Sequence, residues 1–318
     1  MKGNKATVLT FAQKCKGILA SNWQGHLNTI KADAKGSKGN IHTSKVNYIL
    51  RKGKPYIWIP EKDLHNVNTI IDERGSFSVA SPFPGRLAAL LKSIEKLPAR
   101  VALTGDVVPY KDQKSAAESL EEVILSEKKA IGESSYTVSG VLSSSDNSST
   151  SRSKNLKDLL EEDAKYTVYK FNPRSCVFID TNGGTHKVDL EDMHTFKADQ
   201  LAPFSAKIID GINQSEARRR ALMLFCFMHL NANIKDAYVL STDQKGFDVL
   251  GKGSSPVVKD GVAQYQWREY RFSLKEEARD AETFCRQLVE MEEEAVKKSQ
   301  ALAILDEKKG PPLSRSFL

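Results

Sequence analysis

Between Gly25 and Ala80 short apolar runs alternate with polar positions and turn residues. "HLNTIKA" and "IHTSKVNYIL" keep the two-residue period of half-buried strands, separated by the hairpin-type connection "DAKGSKGN". "RKGK" is a second turn and leads into "PYIWIP". "EKDLHNVNTIIDERG" reads as a short helix stopped by Gly75, and "SFSVAS" as a fourth strand. "RLAALLKSIEKL" is a helix or a long loop, and "ARVALTGDVVPY" a fifth strand, with Thr104–Asp106 at a strand end. Short antiparallel strands with one small helix predict a barrel rather than a sandwich.

The pattern then changes period. Residues 113–131 form a charged amphipathic helix. "GESSYTVSGVLSSSDNSSTSRSK" is dominated by Ser, Thr, Asn and Gly and reads as a disordered insertion. Strand patterning resumes in "KYTVYKFNPRSCVFIDTNGGTHKVDLEDM", where "NGG" is a hairpin turn with His186 beside it. After residue 200 come a helical stretch, "FSAKIIDGINQSEARRRALMLFCFMHLNAN", a hairpin turning at "DQKG", the strand "YQWREYRFSL" and a long final helix. The expected organisation is a basic N-terminal segment over 1–20, barrel over 21–132, insertion over 133–154, barrel completion over 155–200, a C-terminal α+β domain over 201–298, and a tail over 299–318.

Composition narrows the class. The chain has 318 residues, 40% hydrophobic and 27% charged, with a net charge of +7. No stretch approaches the roughly 18 apolar residues of a membrane span. The lysines are scattered among acids. Only Arg218–Arg220 forms a run, a solvated face or a contact for an acidic partner. No zinc-finger or RNA-recognition motif is present, so no nucleic-acid partner is expected. Cys15, Cys176, Cys226 and Cys285 lie far apart, with no metal-type spacing, which suits a reducing compartment. The first 32 residues hold lysines and no acid, but no arginine either. They read as a basic helix, "TVLTFAQKCKGILAS", rather than a transit peptide.

These stretches together resemble the FMN-binding split-barrel superfamily, which includes the pyridoxamine phosphate oxidases. "GHLNTI", "NIHTSKVNYI", "IPEKDLHNVNTIIDERGSFSVA" and "ARVALTGDV" carry the barrel resemblance. "ADQLAPFSAKIIDGI", "MHLNANIKDAYVLSTDQKGFDVL" and "REYRFSLKEEARDAETFCRQLVEM" resemble the small domain that follows the barrel in the HugZ-type heme-degrading branch. The long form with a Ser-rich insertion is similar to plant plastid members. The resemblance therefore implies an α+β protein: an antiparallel split β-barrel, then a smaller C-terminal α+β domain. It also implies a homodimer, with Tyr48, Ile57 and Trp58 as candidates for the paired face. A chloroplast location is expected, with a transit peptide absent or truncated here, and a cytoplasmic one is the alternative.

In such barrels the resemblance places a cofactor phosphate among basic and hydroxyl side chains of the second strand and the first short helix. The matching positions are Thr43, Ser44, Lys45, Lys62, His65 and Asn68. A dianionic phosphate favours charge-assisted hydrogen bonds of the kind these side chains donate. FMN binders often carry Lys or Arg where His65 falls. The HugZ-type branch has a His followed three residues later by Asn, as His65 and Asn68 are here. His229 is a weak heme-ligand candidate. The branch pattern His-Met-Asn-x-Asp-His keeps His229 and Asn231 but has Asn233 and Ile234 at its last two positions. The tail "KKGPPLSRSFL" also lacks the C-terminal histidine that serves as axial ligand in that branch.

Three functions remain open. One is a binding or regulatory protein for a flavin- or tetrapyrrole-type ligand at a dimer interface, with a protein partner in tetrapyrrole metabolism and little catalysis. The others are an FMN-dependent oxidoreductase and a heme oxygenase. FMN and heme are both carried as cofactors, and no catalytic residue is assigned.

Overall fold

Strands β1 (Gln24–Asp33), β2 (Gly36–Arg51) and β3 (Lys54–Pro60) form an antiparallel meander in the computed structural model, which describes residues 9–33, 36–132, 136–142, 152–160, 165–195, 199–259 and 262–308. β4 (Arg74–Ala80) pairs with the other edge of β1, and β5 (Arg100–Pro109) and β6 (Tyr166–Ile179) follow. β6 also pairs with β3 from Tyr56↔Lys170 to Pro60↔Tyr166, which closes six strands into a barrel. The short β7 (Thr185–Val188) extends β6 beyond the closure. This is the split-barrel architecture expected from the sequence.

Alternation decides what fills the barrel. On β2, Val46 and Tyr48 point in and meet Leu27, Ile57, Phe77, Leu103 and Phe171. Ile49 points out, joining Tyr56 and Trp58 under α4 (Gln113–Gly132) and α6 (Arg152–Lys157). Tyr48, Ile57 and Trp58, expected on a dimer face, are therefore core residues of one chain. The Tyr48 hydroxyl, buried among apolar groups, donates to the carbonyl of Leu19 at 2.7 Å. Leu19 belongs to α1 (Phe11–Ser21), which opens with a capping box between Thr10 and Gln13. α1 packs Cys15, Ile18 and Leu19 onto the barrel core.

Two glycines sit where backbones meet closely. Gly75, read as a helix stop, lies in β4; a Cβ there would fall 2.8 Å from the Asn28 carbonyl oxygen. Gly105 lies at a register shift between β5 and β6, where a Cβ would come within 2.1 Å of the Asn172 carbonyl oxygen. Thr104–Asp106 is thus a mid-strand bulge and not a strand end. Asp106 pairs with Arg174 at 2.7 Å.

The C-terminal unit is a three-stranded sheet, β8 (Ile234–Asp243), β9 (Gly246–Lys259) and β10 (Val262–Ser273), packed with α8 (Ser205–Gln214), α9 (Glu216–Leu230) and α10 (Ala281–Lys308). Phe225, Phe247, Phe272 and Phe284 meet at its centre. α3 (Gly85–Ser93) leaves the barrel to add Leu87 and Leu91 to this core. The run Arg218–Arg220 is largely paired within the chain. Arg218 reaches Glu292 at 2.7 Å, Arg219 reaches Asp236 at 2.5 Å, and Arg220 reaches Glu216 on the surface.

The stretch read as a disordered insertion is in part ordered. α5 (Tyr136–Leu142) buries Val138 and Val141 in the C-terminal core. α6 carries buried Arg152 and Leu156. Two apolar residues three apart were enough for a helical contact that Ser-rich composition concealed. Residues 133–135 and 143–151 lie outside the described residues. Among those described, no helix is long and apolar enough to cross a membrane.

Candidate binding site

One end of the barrel is closed by α2 (His65–Ile71). The turn before it is held by Asn66, whose Nδ2 donates to the carbonyls of Pro60 and Glu61. The side chain of Asp63 accepts from the His65 backbone N–H at 2.9 Å, which satisfies a donor that the first helical turn leaves unpaired. α2 then has an inverted polarity. His65, Asn68 and Thr69 are buried, whereas Leu64, Val67, Ile70 and Ile71 are 53%, 57%, 77% and 56% exposed.

His65 is 0% exposed and engaged at both ring nitrogens. Its Nδ1 is 2.7 Å from Thr29 Oγ1 and its Nε2 is 3.0 Å from Ser44 Oγ. Ser44 Oγ gives its single proton to Asp63 Oδ2 at 3.3 Å, so it accepts from Nε2, which carries the imidazole proton. Nδ1 then accepts from the Thr29 hydroxyl, whose oxygen in turn accepts from Asn68 Nδ2 at 2.9 Å. His42 Nε2 completes the chain at 3.1 Å from Asp63 Oδ1. Burial pushes the His65 imidazole down to about 4; Asp63 opposes this and His42 adds to it. Burial alone would raise the Asp63 carboxyl. Hydrogen bonds from the His65 N–H and from His42, and the charge of both imidazoles, hold it below its ordinary value. His65 is thus neutral and buried, with both ring nitrogens hydrogen-bonded within the chain.

The six residues read as one phosphate set divide between two faces. Ser44, His65 and Asn68 belong to the plug, with Asn68 Oδ1 also accepting from the Ala32 N–H at 2.9 Å. Thr43 and Lys45 point the other way, out from β2, and are exposed. Lys62 is exposed in the turn before α2. His229 is exposed on α9 of the C-terminal unit, its ring edge toward Phe272 at 6.3 Å. Burial, then Lys298, lowers its pKa, with Glu294 opposing.

Thr43 begins a polar row that the sequence did not reveal. Cross-strand register places Thr43, Asn28, Ser76, Thr104 and Ser175 side by side over β2, β1, β4, β5 and β6. Thr43 Oγ1 donates to Asn28 Oδ1 at 2.8 Å, Asn28 Nδ2 donates to Ser76 Oγ at 2.9 Å, and the Thr104 and Ser175 hydroxyls are 2.5 Å apart. The next outward row is Lys45, His26, Ser78, Ala102 and Val177. The outer sheet face is therefore a shelf that carries one row of hydroxyl and amide side chains, and beside it a row that runs from Lys45 on β2 to Lys187 on β7. Exposed Lys45 fits an anionic group there as a donor, whereas the Thr43 proton is already given to Asn28. Finding the row takes the pairing order β2-β1-β4-β5-β6, which no single segment contains.

A second concavity lies between the barrel and the C-terminal sheet, a cavity of about 440 Å³. On the barrel side His186 stacks on Phe11 with ring centroids 4.2 Å apart, and its Nε2 lies 3.1 Å from Asp180. Asp199, Asp243 and Asp248 line the other side. Arg271 holds Asp243 through two hydrogen bonds of 2.6 and 2.8 Å. Burial raises Asp199 to about 6, against hydrogen bonds from the Leu201 and Gln244 N–H groups.

A closed six-stranded split barrel with a polar outer shelf and an appended α+β unit defines the class to which this chain is similar. The heme binding protein from Mycobacterium smegmatis superposes with a TM-score of 0.53 at 18% identity, over 92% of this chain and 99% of that one. A protein of unknown function from Agrobacterium tumefaciens gives 0.36 at 16% identity, over 90% and 97%. A relative of general stress protein 26, of the pyridoxinephosphate oxidase family, from Clostridium acetobutylicum gives 0.34 at 8% identity, over 57% and 96%. The first of these shares the fold, and at 18% identity the likeness extends to the fold alone. No family model matches the sequence, and no curated protein matches it.

Proposed function

We propose that this protein is a binding scaffold for a planar, anionic ligand of flavin or tetrapyrrole type, held at a homodimer interface, with regulation rather than catalysis as its role. The observation that carries this is the outer shelf. Exposed Lys45, at the edge of a row of hydroxyl and amide groups, offers a charged donor to a phosphate or propionate, and the sheet face beside it leaves room for a ring system. The exposed apolar side of α2 supports pairing with a second copy. The fold shared with a heme binding protein from Mycobacterium smegmatis supports heme, and the superfamily resemblance supports FMN.

The finer reading places the chain in the HugZ-type branch, among plant plastid members, acting with a protein partner in tetrapyrrole metabolism. The test is an absorption titration of the purified protein with FMN and with hemin, separately. Saturable binding of either ligand, weakened about tenfold or more in Lys45→Ala, is expected. If neither ligand saturates, the shelf is not a cofactor site and this reading is overturned.

A further inference from the structure

We propose that His42, Asp63 and His65 form a binding site for a divalent first-row transition metal, Zn²⁺ above all, at the plugged end of the barrel. The three residues come from β2, the turn and the start of α2, and their ligand atoms all lie within 4.8 Å of one another. Two imidazole nitrogens and a carboxylate oxygen are a donor set suited to this ion class.

Part of the geometry is already that of a site. His42 Nε2 and Asp63 Oδ1 are 3.1 Å apart, close to the ~3.4 Å between two ligand atoms each about 2.1 Å from a tetrahedral ion. The full 4.8 Å span is wider, so the trio closes around the ion by side-chain rotation. The side chains of His42 and Asp63 are 21% and 19% exposed, which leaves them room to rotate and gives the ion its entry. His65 is the fixed member. Its Nδ1 is 2.7 Å from Thr29 Oγ1, Thr29 is held by Asn68, and Asn68 is tied to the backbone of Ala32. A metal-bound imidazole characteristically has its other ring nitrogen held in this way.

Binding changes one proton position. With no ion, His65 Nε2 donates to Ser44. With Zn²⁺ on Nε2, that proton resides on Nδ1, and the Thr29 hydroxyl turns its own proton away so that Oγ1 accepts from Nδ1 beside Asn68 Nδ2. The Ser44 hydroxyl gives up Nε2 and keeps Asp63 Oδ2, 3.3 Å away. Three protein ligands leave a fourth position on the solvent side for water or an anionic ligand atom.

The experiment is isothermal titration of the full chain, metal-free after chelation, with Zn²⁺, and with Co²⁺ read by its d–d absorption. The expected result is one ion per chain and a tetrahedral Co²⁺ spectrum. His42→Ala, a change at a partly exposed position, should weaken binding at least tenfold with the circular dichroism spectrum unchanged. Asp63→Asn is the second variant, with the same expected loss. The proposal is overturned if the wild-type chain binds no Zn²⁺ at micromolar concentration. It is equally overturned if His42→Ala binds with unchanged stoichiometry and affinity, because the ion then sits on another histidine.

Discussion

Arg152 and Glu127 form an ion pair between α6 and α4 in which both side chains are almost wholly buried. Arg152 Nε also donates to the carbonyl of Asn22, just past the end of α1, at 3.0 Å. One guanidinium therefore ties a segment of Ser-rich composition to two helices. Burial raises the Glu127 carboxyl, and the charge and hydrogen bond of Arg152 oppose that. Removing one partner of such a pair strands the other charge, which costs more than the pair itself contributes. Arg152→Ala is expected to lower the unfolding free energy by about 3–5 kcal/mol. Adding Glu127→Gln to that variant should recover part of the loss. Urea denaturation of the two variants and the wild type measures both effects.

Thr29 joins the two buried polar residues of α2, and it is itself 1% exposed. Thr29→Val keeps its shape and deletes the hydroxyl that serves His65 Nδ1 and Asn68 Nδ2. Each of the two groups left without a partner costs about 1–3 kcal/mol, so a loss of about 2–6 kcal/mol is expected. Thr43→Val, on the exposed shelf, should change stability by less than about 1 kcal/mol. A denaturation midpoint that moves equally in the two variants would contradict the division between plug and shelf.

Asp199 predicts a pH dependence. Its folded value of about 6 lies above the ordinary carboxylate value of 3.8. A raised value means that the folded state holds the proton more tightly. The stabilisation is complete below the ordinary value and is lost as pH rises through about 6. The difference corresponds to on the order of 3 kcal/mol. Unfolding free energy measured from pH 4 to pH 7 should fall by about that amount through this group. Asp199→Asn should flatten that part of the profile. An unchanged slope in Asp199→Asn would show that another group titrates.

The fold was legible because alternation and turns are local. The "RKGK" turn, the β6–β7 turn at "NGG" and the hairpin at "DQKG" all stand where the sequence places them. The candidate site was legible only as a neighbourhood. Thr43, Ser44 and Lys45 are consecutive, yet alternation sends Ser44 to His65 and its neighbours to the opposite face. Spacing in the chain could not show that Thr29, 36 residues from His65, is its partner. The aspartates of the interdomain cavity were illegible for the same reason, since they converge from separate segments. Val138 and Val141 were hidden by the serines around them, because burial depends on two side chains and composition averages over twenty.

The inverted helix α2 bears on assembly. Leu64, Val67 and Ile71 follow the spacing of one helical stripe, with Ile70 beside it, and all four are more than half exposed. The buried side of the same helix is polar, so this polarity is not set by the barrel core of a single chain. An apolar stripe held out by a polar, fully bonded plug is suited to burial against a second copy. If the proposed homodimer pairs through this stripe, a charge placed there separates the copies and leaves each fold intact, because neither Val67 nor Ile70 packs within its own chain's core. Val67→Asp with Ile70→Glu is therefore expected to turn a dimer into a monomer by light scattering, with the thermal midpoint of the secondary structure falling only as far as lost association requires. Dilution of the wild-type protein should produce the same lower midpoint. If the double variant remains a dimer, the stripe faces some other occupant, and the pairing surface must be sought on the shelf around Ser76 and Thr104.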